Sequence, residues 1–135
     1  MNMIKLLVFY SILISGCTNQ NNTQQNISMY NGRFEGTEPF WLLEIENNNY
    51  TLHCNNEIST GKLYFSNKSS RGESIAFNNS TIFGIINRSE NGICDYAILE
   101  KDSVNFDIIF SYNNQTYRGC GDIFTTVISI EEFAD

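Results

Sequence analysis

Val104, Phe106, Ile108, Phe110 and Tyr112 alternate with Asn105, Asp107, Ile109 and Ser111, and this run constrains the fold more than any other stretch of the chain. Residues two apart share one face of a strand, so the run has an apolar face and a mixed one, as a half-buried antiparallel strand requires. Asn113-Asn114 follows. Asparagine tolerates left-handed backbone conformations, so the pair reads as a tight turn into a return strand over Gln115–Gly119. The same grammar recurs upstream. Phe40–Glu46 and Tyr50–Cys54 flank Asn47-Asn48-Asn49, and Ser74–Phe77 and Thr81–Asn87 flank Asn78-Asn79-Ser80. Tyr30–Glu35, Lys62–Ser66, Tyr96–Lys101 and Phe124–Ile130 read as further short strands. No stretch after Gly16 keeps helical periodicity, and the single proline is Pro39. The expectation is an all-β domain, a small antiparallel meander of about eight strands closed as a barrel or packed as a sandwich. Closure into a barrel would remove exposed strand edges. The aromatic content, 13% of residues, suits a small barrel filled by large rings. There is no internal repeat and no sign of a second domain.

The first residues read differently. Lys5 gives a short positive segment, Leu6 to Ile14 an apolar run, and Ser15-Gly16 the small residues that a signal peptidase needs. The run is much shorter than the roughly 20 residues a membrane-spanning helix needs. Ile14-Ser15-Gly16-Cys17 resembles a bacterial lipobox. The resemblance implies cleavage before Cys17 and acylation of its sulfur and its new amino group; the alternative is an ordinary signal peptide with a chance cysteine. Several acyl chains anchor a protein stably, whereas one gives marginal binding. Thr18 stands where, in enterobacteria-like sorting, an Asp retains a lipoprotein in the inner membrane. The expected address is therefore the cell envelope, on the outer membrane facing the periplasm in a diderm cell. Thr18 to Ser28 is polar, rich in Asn and Gln, and without periodicity, which reads as a flexible tether. The expected organisation is a signal peptide over 1–16, a lipidated tether over 17–28 and one β domain over 29–135, long enough for a single core.

The formal charge is −7. It becomes one unit more negative if Lys5 leaves with the signal. An acidic chain without a Lys/Arg cluster argues against a nucleic-acid partner. It also argues against electrostatic docking on anionic lipid, leaving the acyl chains at Cys17 as the membrane contact.

With Cys17 acylated, Cys54, Cys94 and Cys120 remain, in a setting where disulfides persist. Three cysteines allow one bridge and one leftover thiol. Cys94–Cys120 is the expected bridge; it closes a loop worth about 3.5 kcal/mol on the chain-entropy argument. Cys54 then stays free, as a small buried hydrophobe. His53 and Cys54 are adjacent, so on a strand they point to opposite faces, which disfavours joint metal ligation. There is no second histidine and no CxxC. No metal and no cofactor are expected.

Two motifs stand out. Gly36-Thr37-Glu38-Pro39-Phe40-Trp41 holds the only proline and the only tryptophan. Phe40 and Trp41 point to opposite faces of a strand, so one is an inward anchor and the other lies at a rim or groove. The motif reads either as a plug for one end of the barrel or as a recognition site with an exposed aromatic and the Glu38 carboxylate. The second motif is Tyr117-Arg118-Gly119-Cys120-Gly121, in which the glycines permit close packing or a bulge. Arg118 is placed to pair with a carboxylate such as Glu38 or Asp122. Together, Glu38-Pro39-Phe40-Trp41-Leu42-Leu43-Glu44-Ile45, Cys94 and Tyr117-Arg118-Gly119-Cys120 resemble a family of small bacterial envelope lipoproteins. Members carry an EPFW-type segment early and a YxGC-type segment late, with a cysteine between. The resemblance implies the lipoprotein class and supports the Cys94–Cys120 bridge; it implies no activity. This chain departs from the family after the middle cysteine, where Asp95-Tyr96 replace a fuller segment.

His53 is the only histidine, and its neighbours are ordinary strand residues, so no Ser–His–Asp or Cys–His arrangement is expected. Catalytic residues are therefore not assigned. The expected function is that of a non-catalytic, lipid-anchored envelope module binding a small molecule or protein partner, with Glu38, Phe40, Trp41 and Arg118 as candidate binding residues. An alternative is a lysozyme inhibitor: Ser59-Thr60-Gly61-Lys62-Leu63-Tyr64 faintly resembles the Ser-Gly-x-x-Tyr loop of the membrane-bound C-type lysozyme inhibitors. Another is a structural or stress-related envelope protein without a discrete ligand.

Overall fold

The computed structural model describes residues 25–67, 74–90, 94 and 105–130. Cys17, Val104 and the strand expected over Tyr96–Lys101 lie outside the described residues. Nine strands follow one another: β1 (Gln25–Thr37), β2 (Phe40–Glu46), β3 (Asn49–Cys54), β4 (Glu57–Lys62), β5 (Tyr64–Asn67), β6 (Ser74–Asn78), β7 (Ile82–Arg88), β8 (Phe106–Tyr112) and β9 (Gln115–Ile130). All pairings are antiparallel, in the order β4-β3-β2-β1-β9-β8-β7-β6-β5. The result is one nearly closed, barrel-like sheet, the all-β architecture that the alternation implies. The first and last strands in space, β4 and β5, are consecutive in sequence and meet at Leu63. That corner is held by Leu63 N–H donating to Asn48 O at 2.7 Å and by Asn79 Nδ2 donating to Lys62 O at 3.2 Å.

Three turns explain why the meander is so tight. Asn47-Asn48, Asn55-Asn56 and Asn113-Asn114 all have positive φ, between 49° and 66°. Two consecutive left-handed residues make the two-residue turn whose twist matches that of the strands it joins. Asn48 does a second job. Its Oδ1 accepts from Tyr30 N–H at 2.7 Å and its own N–H donates to Tyr30 O at 3.1 Å, fastening the β2–β3 turn to β1.

The inward set is what alternation dictates. Phe34, Trp41, Leu43, Leu52, Leu63, Ile82, Ile86, Ile108 and Phe110 are essentially inaccessible. Rings dominate the packing: Trp41 meets Phe110 edge-on at 4.8 Å, and Phe110 stacks on Tyr117 at 5.2 Å. At the other end Tyr30 stacks on Phe65 at 4.3 Å, so a β1 side chain covers the inside of the β4–β5 corner.

Several strand boundaries differ from the sequence expectation. The tether expected to reach Ser28 is paired from Gln25 onward, because β9 runs far enough to partner it, Gln25 against Ile130. Lys62–Ser66 is not one strand; the chain turns at Leu63, whose buried side chain is the pivot. Gln115–Gly119 and Phe124–Ile130 are two parts of a single strand. β4 had no apolar alternation to reveal it: Ile58 is exposed and Ser59 and Gly61 are its partly buried residues.

Candidate functional site

The EPFW motif is divided by the sheet. Glu38 and Pro39 form the exposed β1–β2 turn, with a cis Glu38–Pro39 peptide, and Phe40 is 64% exposed on the outer face. Trp41 points inward and is 1% exposed. Its indole fits because two glycines make room: a methyl group at Gly36 of β1 would stand 2.6 Å from Trp41 Cε2, and one at Gly119 of β9 would stand 2.5 Å from Trp41 Cζ2. Neither distance is tolerable between carbon atoms. Gly36 and Gly119, one from each signature motif, are thus joined through the tryptophan between them. Arg118 faces outward on β9, opposite Ile109 of β8. The four candidate binding residues therefore do not line one pocket: Trp41 belongs to the core, and Glu38, Phe40 and Arg118 are on the outside.

Cys94 and Cys120 form a disulfide with Cα atoms 5.9 Å apart. Cys120 stands between the inward Gly119 and Gly121, so its sulfur lies on the outer face. There it is 2% exposed, with Cys94 against it and Cys94 Sγ 3.6 Å from Gly119 O. Beside it, Asp107 accepts from Ser89 Oγ at 2.6 Å. Cys94, Asp107 and Cys120 are the one group of metal-type ligands that come together among the described residues. Bridged sulfurs are not thiolates, so the cluster offers a metal only the Asp107 carboxylate, too few donors for a site.

Cys54 is free and buried on the inner face. His53, next to it, faces outward opposite Ile58 of β4. Inside the barrel the Cys54 thiol neighbours the Tyr117 phenol, which donates to Gln115 Oε1 at 2.8 Å and accepts from Asn55 Nδ2 at 3.4 Å. The thiol, and after it burial, holds the phenol pKa above its ordinary value of 10.0.

The feature that sequence reasoning missed lies on the outer wall. Ala76 of β6, Phe83 and Ile85 of β7 and Ile109 of β8 line a shallow apolar groove of about 440 Å³, edged by Ser111 and Thr116. Ala76, Ile85 and Ile109 are aligned across three strands by the register. A signal was present: Ile109 interrupts the polar half of its run, and Phe83 and Ile85 occupy outward positions where solvent-facing residues belong. A second, polar groove lies over β1–β3, where Arg33 and Glu44 approach to 3.7 Å in an exposed pair.

No protein family, curated protein or solved structure matches this chain.

Proposed function

We propose that this is a non-catalytic, lipid-anchored envelope protein whose barrel wall, rather than its interior, binds a partner. The observation that carries this reading is where the apolar surface went. The inside of the described barrel is packed with Trp41, Phe34, Phe110 and the aliphatic residues around them. An accessible apolar concavity is outside, at Phe83, Ile85 and Ile109. Apolar groups of this kind on an outer wall are what a complementary surface recognises. The anchor rests on the lipobox-like Ile14-Ser15-Gly16-Cys17, and the oxidised Cys94–Cys120 pair is in keeping with an exported protein.

Two measurements test it. Intact mass of the membrane-bound protein should show cleavage before Cys17 with acyl chains added, and Cys17→Ser should abolish both. A photo-crosslinking residue at Phe83 in living cells should give a discrete product that Ile109→Asp removes, whereas the same residue at Thr60, on β4, should give none. Equal products from both sites would refute the groove.

The lysozyme-inhibitor reading has less behind it. Ser59-Thr60-Gly61-Lys62 is a strand, and Ser59 Oγ is turned to Tyr50 Oη at 2.9 Å instead of standing in a loop. Inhibition of lysozyme by micromolar protein would nonetheless displace the wall-binding reading.

A further inference from the structure

β2 pairs with β1 only from Gly32 onward, and β8 pairs with β9 only as far as Gly121. Beyond those points, among the described strands, Gln25–Asn31 and Phe124–Ile130 pair only with each other, as a two-stranded ribbon. Asn48 fastens its base at Tyr30. Asn48 Nδ2 also donates to Ser28 O at 3.4 Å, so the projecting part runs from Ser28 to Gln25, about 10 Å at about 3.4 Å per residue.

Its surface carries four of the large exposed apolar side chains of the described residues. Phe124, Val127, Ile128 and Ile130 are 64%, 59%, 45% and 42% exposed. The register puts Ile27 beside Ile128 on one face, shared with Ile130, and Ser28 beside Val127 on the other. The first face is thus apolar at Ile27, Ile128 and Ile130, while the second carries Val127 among Asn26, Ser28 and Ser129, with Ser129 Oγ donating to Asn26 Oδ1 at 3.2 Å. Neither Gln25–Asn31 nor Phe124–Ile130 holds a charged residue, in a chain that carries 15 acidic and 8 basic ones. Cys17 stands eight positions before Gln25. A chain of that length reaches at most about 28 Å, so an acylated Cys17 would keep the ribbon end close to the bilayer.

We infer that the β1–β9 ribbon is a second membrane contact: its distal end, with Ile27, Val127, Ile128 and Ile130, seats in the interfacial region of the lipid. This rests on the acyl anchor proposed above. Lipid is the occupant that a tether of this length brings against the ribbon, and a membrane interface accepts an apolar face with polar groups opposite it. Residues 25–31 and 124–130 themselves carry no charge, which lessens the repulsion that the acidic barrel would meet at an anionic surface, and the nearest acidic residues in sequence, Glu131 and Glu132, follow Ile130. Interfacial seating of this kind depends on buried apolar area and not on basic residues. The contact would fix the orientation of the barrel above the membrane, which acyl chains on a tether alone do not.

The test uses Ile128→Trp in the acylated chain, in vesicles of phosphatidylethanolamine and phosphatidylglycerol containing brominated lipid, with Ile58→Trp on β4 as the control. About half of the added Ile128→Trp emission should be quenched, as for an indole at interfacial depth, and the control should stay unquenched. A chain that floats with the vesicles while Ile128→Trp remains unquenched overturns the inference and leaves the anchor standing. The chain from residue 17 onward, which holds all of the described fold, is measured in parallel with Cys17→Ser. Quenching of Ile128→Trp there at millimolar lipid supports the contact even if acylation of Cys17 is disproved; its absence in both forms overturns it. Concentration-dependent shielding of Ile128→Trp without lipid would assign the ribbon to self-association instead.

Discussion

Replacing Trp41 with alanine tests whether the two signature motifs act as one packing unit. The side chain is 1% exposed, meets Phe110 at 4.8 Å, and is flanked by Gly36 and Gly119, which have no side chains to move into the vacated space. Large-to-small changes at buried aromatic positions cost about 3–5 kcal/mol, with the higher values where the site cannot collapse. The upper half of that range is expected for Trp41. Small domains are stable by only about 5–15 kcal/mol, and each kcal/mol shifts the midpoint of a domain this size by about 4–8 °C. Trp41→Ala should therefore lower Tm by about 20 °C or more. Far-ultraviolet circular dichroism is the suitable readout, because the variant lacks the fluorophore. The sharper test is the coupling with Gly119→Ala. Alone, that methyl group would collide with both the indole and Glu35 O, and overpacking costs about 1–3 kcal/mol. Without the indole, only the carbonyl collision remains. The double variant should accordingly be about 1 kcal/mol more stable than the two losses added together. Strict additivity, or a Trp41→Ala cost below about 1 kcal/mol, would refute the packing argument.

Three further outcomes are expected. Replacing both Cys94 and Cys120 with serine should cost about 2–5 kcal/mol in urea denaturation, and a non-reduced digest of the native protein should yield a single linked peptide pair. Asn48→Gly keeps the positive φ but loses the acceptor for Tyr30 N–H, whereas Asn48→Ala loses both; stability should fall in the order Asn, Gly, Ala, with a total span of about 1–3 kcal/mol. The raised Tyr117 pKa means that the folded protein favours the neutral phenol. That contribution is complete below pH 10 and is lost as the pH rises through the folded-state pKa, so stability should decline in alkali and Tyr117→Phe should flatten the decline.

The architecture was legible because β2, β3, β7 and β8 each bury one face, so alternation shows in their residues. The Asn-Asn pairs marked turns for a physical reason, since positive φ at two successive positions excludes most other residues. Asn55-Asn56 carried the same signal and implied β4, but Glu57–Lys62 lacks an apolar face because it is an edge strand whose inward residues are Ser59 and Gly61. The ends of β1 and β9 were unreadable for another reason: a ribbon with no core behind it need not segregate polar from apolar. At the candidate site the sequence singled out the right motifs and left their roles open. A glycine in Tyr117-Arg118-Gly119 announces that something approaches closely, but not that the approaching group is Trp41, some eighty residues earlier. The outer groove was hidden because isolated apolar residues on a solvated face are common; only the register, which sets Ile85 beside Ile109, turns them into a surface.

The two sulfur chemistries of the described fold are kept on opposite sides of one sheet. The Cys54 thiol is on the inner face of β3, and the Cys94–Cys120 bond is on the outer face of β9. Exchange between a thiol and a disulfide needs direct attack of one sulfur on another, so the wall itself forbids reshuffling until strands separate. The rate at which an alkylating reagent captures Cys54 should then serve as a clock for barrel opening, readable without any added probe.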